Sequence, residues 1–345
     1  MTQALADIAN AMVADGKGLL AADESTGSIK KRFDAIGVPS TEDTRRDYRE
    51  LMFRTGDAMK SYISGVILFD ETIRQKAKDG TPLVDIIKSH GSIPGIKVDK
   101  GPQPIPGFPG ETLTDGIDGL DARLKEYYGM GARFAKWRAV IDIGRKGDRT
   151  IPTRFCVEGN NHLLARYAGL CQANGIVPIV EPEVLMDGDH DIARCQEVTE
   201  AVLVGLFAAL HEARVKLEGT ILKPNMVISG KLAASRAGVE EVAERTVRTF
   251  LRTVPAAVPG IMFLSGGQSD VEATAHLGAM NAAFAGKMPW KLSYSYGRAL
   301  QAAAQKAWSG KAENVASAQK AFLHRAKMNT LAAKGQWKQE LEKAA

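Results

Sequence analysis

Residues 176–226, IVPIVEPEVLMDGDHDIARCQEVTEAVLVGLFAALHEARVKLEGTILKPNM, contain the pattern from which the fold follows. The stretch begins with a short apolar run that ends in polar residues. A segment with helical periodicity follows, and a second short apolar run comes last. Short apolar runs bounded by turn residues predict buried strands, and a helix between two of them is typical of a parallel crossover. The stretch therefore predicts a strand–helix–strand unit.

The same unit recurs on both sides of this stretch. Further apolar runs are GLLAAD (18–23), SGVILFD (64–70), PGIKVD (94–99), RFAKWRAV (133–140), IMFLSGG (261–267) and KLSYSYG (291–297). Eight alternations of strand and helix predict one α/β domain over residues 1–345, a (β/α)8 TIM barrel with an N-terminal helix and a C-terminal helical extension at 310–345. The alternative is an open doubly wound sheet, which more often carries G-x-G-x-x-G after its first strand, where this chain has ADEST (22–26). The Pro- and Gly-rich segment 102–119 is expected to be an irregular loop.

Composition argues against several classes of protein. The net charge of +5 comes from 45 basic and 40 acidic residues that are interspersed, so we expect no nucleic-acid partner. The longest apolar run, 201–210, is too short to cross a bilayer, and no signal peptide opens the chain, so we expect no membrane partner. Three cysteines without a CxxC pair favour a reducing, cytoplasmic location. The scattered histidines and the run 187–191, which departs from a calcium loop at Ile192 and Val198, predict no metal site.

Charged and polar residues lie near the C-terminal ends of the predicted strands. Residues two apart share a face of a strand, and the pairs that do so are Asp23 with Ser25, Lys97 with Asp99, Lys136 with Arg138, and Glu181 with Glu183. Lys223 shares the face of Ile221, and Ser265 the face of Phe263. In a barrel these ends converge on the rim where active sites are built.

Several lysines and glutamates in one mouth have a chemical use. Crowding by like charges and desolvation both lower the pKa of a lysine amine, which makes it a better nucleophile. We therefore expect Lys223 to attack a ketone, and either Glu181 or Glu183 to transfer protons.

The ends of the seventh and eighth strands predict an anion site. Ser265, Gly266 and Gly267 follow one strand, and Ser295, Gly297 and Arg298 end the next. Glycines let backbone N–H groups approach an oxyanion, a helix N-terminus adds a favourable dipole, and arginine offers a bidentate fork. These loops are the usual phosphate site of the barrel, so we expect a phosphorylated substrate.

The runs GLLAADESTGSI, GIKVDKG, AKWRAV, GIVPIVEPEVL, LEGTILKPNMV, FLSGGQS and SYGRALQ resemble class I fructose-1,6-bisphosphate aldolases, in order, from about residue 2 to about residue 337. The resemblance implies that Lys223 forms a Schiff base, that Glu181 is the general acid/base, and that Lys136 and Asp23 assist, with Glu183 nearby. It also implies no cofactor and a homotetramer. The positions that match the 1-phosphate site are Arg298, Ser265, Gly266 and Ser295, and those that match contacts to the rest of the sugar are Ser25, Ser28, Arg32, Arg45, Lys97 and Arg138.

The implied reaction is the reversible cleavage of fructose 1,6-bisphosphate to dihydroxyacetone phosphate and glyceraldehyde 3-phosphate, in glycolysis and gluconeogenesis. One departure concerns proton exchange at C3, because many members use a C-terminal tyrosine and this chain has none after Tyr296. Another Schiff-base barrel, such as a transaldolase or a deoxyribose-phosphate-type aldolase, is the rival enzyme. A catalytically silent barrel that binds cytoskeletal polymers is the rival from another class.

Overall fold

A computed structural model describes residues 2–343 and contains a closed barrel of parallel strands. The order of strands around the barrel is β1-β12-β11-β10-β9-β6-β3-β2, and two short hairpins, β4-β5 and β7-β8, lie outside it. This closure confirms the predicted (β/α)8 fold and rules out the open doubly wound sheet. The strands are β1 (Gly18–Ala22), β2 (Ile63–Leu68), β3 (Ile93–Lys97), β4 (Gly101–Pro104), β5 (Thr112–Asp115), β6 (Phe134–Ile141), β7 (Gly144–Lys146), β8 (Arg149–Ile151), β9 (Val177–Val184), β10 (Ile221–Leu222), β11 (Gly260–Phe263) and β12 (Lys291–Tyr296).

Helices surround the barrel and cover the end at which its strands begin. They are α1 (Thr2–Met12), α2 (Thr26–Asp34), α3 (Glu42–Phe53), α4 (Gly56–Tyr62), α5 (Asp70–Arg74), α6 (Leu83–Ser89), α7 (Leu120–Gly129), α8 (Arg154–Ala173), α9 (Ile192–Glu212), α10 (Val239–Thr253), α11 (Asp270–Ala283), α12 (Arg298–Trp308) and α13 (Val315–Ala333). Short 3₁₀ turns cover Leu217–Gly219, Ala312–Asn314 and Gln339–Lys343. Helix α13 and the last turn form the helical segment that follows the barrel's final helix.

The inside of the barrel is apolar at the N-terminal ends of the strands, where α1 packs across it. Leu5 and Met12 of α1 are buried in one cluster with inward-facing strand residues such as Phe134, Ile179 and Ile221. Two positions further along β6 and β9 stand Lys136 and Glu181, on the same inward face. The alternation along a strand thus carries the chain from an apolar plug to a charged mouth.

Gly95 of β3 makes room for the largest side chain in this plug. A Cβ atom at Gly95 would overlap the ring of Phe134, and one at Gly65 would come within 2.9 Å of the same ring. Two glycines on neighbouring strands therefore allow a phenylalanine to fill the barrel axis. This packing sets the depth at which Lys136, two residues after Phe134, enters the mouth.

Two sequence expectations are wrong. Segment 102–119 contains strands β4 and β5, paired from Gly101 with Asp115 to Pro104 with Thr112, and not only irregular loop. Phe263 does not face the barrel axis, because its ring stacks on Phe250 of α10 in the outer layer, while Met262 points inward. Ser265 reaches the mouth through the turn after β11, which breaks the strict alternation assumed from the sequence.

Candidate active site

A cavity of about 270 Å³ opens at the C-terminal ends of the barrel strands. This volume lies just below the roughly 300–1,000 Å³ range of small-molecule sites, so it suits a small ligand such as a sugar. The residues that line it come from strands β1, β3, β6, β9 and β12, from the turns after β1, β10, β11 and β12, and from helices α2 and α12. They are Ala21, Asp23, Glu24, Ser25, Ser28, Arg32, Lys97, Lys136, Arg138, Glu181, Glu183, Lys223, Leu264, Ser265, Gly266, Ser295, Gly297 and Arg298.

Lys136 lies at the centre of the charged floor of this cavity. Its Nζ is 2.7 Å from Asp23 Oδ2, 3.4 Å from Glu181 Oε2 and 3.9 Å from Asp99 Oδ2. The other oxygen of Glu181, Oε1, is 3.1 Å from Lys223 Nζ. Glu181 therefore bridges two lysines. The sequence predicted a mouth crowded with cations, but in the structure carboxylates lie between these cations.

The protonation states of Asp23 and Lys136 follow from this arrangement. Burial alone would raise the pKa of Asp23, but the charges of Lys136 and Lys223 and the hydrogen bond from Lys136 hold it well below its usual range. Burial alone would lower the pKa of Lys136, but Asp23, Glu181 and Asp99 raise it well above the value of a free lysine. Near neutral pH the pair is thus a carboxylate and an ammonium, and Lys136 is not a nucleophile.

A second ion pair forms the wall of the cavity beside Glu181. Arg138 donates to Glu183 Oε2 through Nε. Burial lowers the pKa of Arg138, but the charges of Glu183 and Glu181 more than compensate and raise it. Lys97 pairs with Asp99 at 2.8 Å. Glu183 and Asp99 are therefore each paired with a cation. Of Glu181 and Glu183, only Glu181 contacts Lys223.

The turns after β11 and β12 form the opposite side of the cavity. Gly266 and Gly267 pack on Met186, and a Cβ atom at Gly266 would lie 3.3 Å from Met186 Sδ. The Ser295 hydroxyl is buried and finds no hydrogen-bond partner within residues 2–343. Arg298 is the first residue of α12 and lines the cavity, so the N-terminus of this helix faces the same space. Together these groups can accept an anion.

Helix α2 contributes the third side. Ser25 is its N-cap and accepts a hydrogen bond from the backbone N–H of Ser28 at 3.4 Å. Ser25 Oγ also donates to Ser28 Oγ at 3.1 Å. One turn later, Arg32 pairs with Glu24 inside the cavity. The capping position thus brings two hydroxyls and a guanidinium to the mouth, another anion-binding set.

Comparisons with known proteins agree with one another. Residues 4–345 match the sequence profile of the family described as class I fructose-bisphosphate aldolase. A protein of Xanthomonas campestris pv. campestris named "Probable fructose-bisphosphate aldolase class 1" is 60% identical over 335 residues, which cover 97% of this chain and 98% of the relative. "Fructose-bisphosphate aldolase 4, cytosolic" of Arabidopsis thaliana is 55% identical over 94% of this chain and 81% of its own length.

A solved structure points the same way. The fructose-bisphosphate aldolase of Plasmodium falciparum, crystallised with TRAP and a small-molecule inhibitor, superposes with a TM-score of 0.93 at 49% identity, covering 98% of this chain and 96% of that one. The chain belongs to the class I fructose-bisphosphate aldolase family. It is accordingly a carbon–carbon lyase that acts on a phosphorylated sugar, with the activity of a fructose-bisphosphate aldolase.

Two residues that the sequence analysis assigned to substrate binding, Arg45 from the resemblance and Gly267 from the turn after the seventh strand, do not line the cavity. Arg45 of α3 is mostly buried, and its guanidinium is held by Glu71 at 2.5 and 2.8 Å. Gly267 has φ of +75° and lies behind Gly266, against Met186. Its part is to turn the backbone, which a residue with a side chain would do only with strain.

One charged residue of the aldolase cavity was missed by the sequence argument, besides the apolar Ala21 and Leu264. Glu24 lines it, yet it follows Asp23 directly and so has the opposite parity to the residues selected from β1. Because β1 ends at Ala22, the alternation no longer applies at Glu24. A second signal was present, since Glu24 is part of the ADEST run that carries the family resemblance.

Within residues 2–343 the aldolase chain contains no group of three or more His, Cys, Asp or Glu side chains placed to hold a metal ion. Over the same residues, none of the helices is both long enough and apolar enough to cross a bilayer.

Proposed function

We propose that Lys223 forms a Schiff base with C2 of fructose 1,6-bisphosphate. Its amine adds to the C2 carbonyl while Glu181 takes the proton of the amine. Glu181 returns this proton to the departing hydroxyl, so the carbinolamine loses water, gives an iminium ion and leaves Glu181 as a carboxylate. The observation that carries this proposal is that Lys223 pairs with Glu181 at 3.1 Å, whereas Lys136 lies closest to Asp23, at 2.7 Å, and stays an ammonium. A carboxylate 3.1 Å from the amine can take the proton that nucleophilic attack requires.

Cleavage then needs a base for the C4 hydroxyl and a sink for electrons. Glu181 takes the hydroxyl proton, the C3–C4 bond breaks, and its electron pair flows into the iminium to give an enamine. Glyceraldehyde 3-phosphate leaves as the aldehyde. The Lys136 ammonium lies 3.4 Å from Glu181 Oε2 and holds this carboxylate in place. Protonation of the enamine at C3 and hydrolysis of the new iminium release dihydroxyacetone phosphate and restore the Lys223 amine.

The two phosphates are assigned to the two anion-binding sides of the cavity. Ser265, Gly266, Ser295 and Arg298 would hold the 1-phosphate. This assignment is supported by the Ser295 hydroxyl, which has no hydrogen-bond partner within residues 2–343, and by the N-terminus of α12. Ser25, Ser28 and Arg32 of the α2 side would hold the rest of the substrate, with Lys97 and Arg138 along the wall. Arg45 is left out of the groups that touch the sugar, because Glu71 occupies its fork.

Borohydride trapping tests the role of Lys223. Reduction in the presence of dihydroxyacetone phosphate should add the mass of that sugar less one oxygen atom to the tryptic peptide 217–231, because the iminium loses water and gains two hydrogens. Lys223→Met should take up no label and lose activity. Lys30→Met, which removes an exposed lysine of α2, should be labelled as the wild type is. Label on another lysine would refute the assignment, and so would activity that vanishes in excess chelator.

The physiological setting is also a proposal. A cytosolic plant relative and the reversibility of aldol chemistry support a role in glycolysis and gluconeogenesis in the cytosol. The competing reading as a transaldolase or a deoxyribose-phosphate-type aldolase predicts a substrate with a single phosphate. Two separate anion-binding sides in one cavity favour a bisphosphate.

A further inference from the structure

Glu24 is a carboxylate inside the substrate cavity that the mechanism above does not use. Its Oε1 accepts hydrogen bonds from Arg32 and, at 3.0 Å, from Gln301 Nε2 of α12. Its side chain is 6% exposed and that of Arg32 is 26% exposed. The guanidinium proposed to meet the substrate therefore already holds an internal anion.

The other oxygen of Glu24 has no such bond. Oε2 is buried and has no hydrogen-bond partner within residues 2–343, and it lies 4.0 Å from Nη2 of Arg49. Arg49 is 1% exposed and already donates to the Glu24 carbonyl at 2.8 Å. Its Nε and Nη1 likewise have no hydrogen-bond partner in the described chain, although Nη1 lies 3.5 Å from Glu71. A second, underused arginine thus stands behind Glu24.

We propose that Glu24 is a resident counter-ion of Arg32 that competes with the substrate phosphate for this guanidinium and turns to Arg49 when the phosphate binds. The proposal rests on the assignment of Arg32 to the substrate made above. A shift of about an ångström would bring Oε2 from 4.0 Å to hydrogen-bond distance of Arg49, so the displaced carboxylate keeps a cationic partner.

This arrangement makes Glu24 a specificity-determining residue. A ligand that carries less charge than a phosphate dianion gains little by replacing a carboxylate on Arg32, whereas the dianion gains more from the same fork. Because Glu24 occupies the guanidinium that the phosphate needs, breaking the Arg32–Glu24 pair is part of the cost of binding. The effect of Glu24 on affinity therefore has the opposite sign to that of Arg32, although the two residues touch.

Equilibrium binding of hexitol 1,6-bisphosphate tests the competition. This ligand has no carbonyl and forms no Schiff base, so its binding does not depend on the chemistry of Lys223. Glu24→Gln keeps an oxygen for Gln301 and removes the charge, and it should tighten binding about three- to tenfold, the range for a partly buried ion pair that no longer has to be broken. Arg32→Ala should weaken binding, and the double variant should behave as Arg32→Ala alone.

Two further variants keep the test decisive. Glu24→Asp retains the charge but shortens the reach to Arg32. Its affinity for hexitol 1,6-bisphosphate should lie between those of the wild type and Glu24→Gln, as measured by calorimetry on folded protein. Asp34→Asn removes one charge from the same helix at an exposed pair with Lys30 and should not change the affinity. Weaker binding by folded Glu24→Gln, or equal tightening with and without Arg32, would overturn the proposal. If the affinities are as predicted but borohydride does not label Lys223, only the catalytic assignment of Lys223 is refuted.

Discussion

At the scale of single residues, the charges of the mouth are organised around Lys136. It is far from Asp23 and Glu181 along the chain, yet it lies within 3.4 Å of both carboxylates. An ammonium buried in this way is stabilised only while its partners remain. Lys136 therefore acts by fixing the position of Glu181, which in turn contacts Lys223.

Asp23→Asn should lower kcat about 100-fold, because Lys136 loses its shortest ion pair and moves toward Glu181. Since the folded pKa of Asp23 is depressed, its carboxylate is ionised above about pH 4, and its contribution to stability is lost only as the pH falls through that lower pKa. The acid limb of kcat above pH 4 should thus lie at the same pH in wild type and variant. Steady-state pH profiles measure both, with Asp15→Asn, an exposed carboxylate, as control. Wild-type kcat in Asp23→Asn would contradict this account.

At the scale of elements, helix α11 carries the turn that follows β11. Ser269 caps it in a capping box with Glu272, and the preceding Gln268 is hydrogen bonded to His276 Nδ1 at 2.6 Å. Gln268 follows directly on the Ser265–Gly267 turn, so His276 braces the proposed phosphate site from behind. Burial lowers the pKa of His276 to about 4.

Acid should loosen this brace. His276 is neutral in the folded chain down to about pH 4, whereas in the unfolded chain it takes up a proton below about pH 6.5, so its contribution is present at neutral pH and lost as the pH falls between these values. The free energy of unfolding should decrease by up to about 3 kcal/mol from this group. Urea unfolding at pH 7, 5 and 4 measures how the free energy of unfolding depends on pH. The part of this dependence that comes from His276 should be present in the wild type and absent in His276→Gln. Equal slopes would refute it.

Helix α1 stabilises the barrel from the end opposite to the site. Leu5→Ala leaves a cavity beneath the barrel floor and should cost about 3 kcal/mol of unfolding free energy. Leu232→Ala removes a leucine that is 73% exposed and should cost less than about 0.5 kcal/mol. Denaturant titrations of both variants measure the difference. A small loss in Leu5→Ala would mean that α1 is not part of the core.

At the scale of the whole molecule, the predicted assembly is a homotetramer. Sedimentation equilibrium should yield four times the mass of the chain, independent of concentration in the micromolar range. A monomer or dimer that is fully active would contradict the prediction and would show that one barrel supplies the complete site.

The sequence by itself determined the barrel, the end at which the site lies and most of its residues. Alternation in strands and periodicity in helices are local patterns, so Lys136, Glu181 and Lys223 could be placed on one face without knowledge of any contact. The same locality explains the errors, since alternation stops where a strand ends, as at Glu24 and Ser265.

Only the tertiary structure decided which charged side chains form ion pairs with one another. Arg45 pairs with Glu71 outside the cavity and Arg32 with Glu24 inside it, although both arginines follow the same strand. An ion pair forms between groups brought together by helices and turns of different orientation, and its energy depends on burial and on distances of a few ångströms. Neither quantity is written in the spacing of residues along the chain.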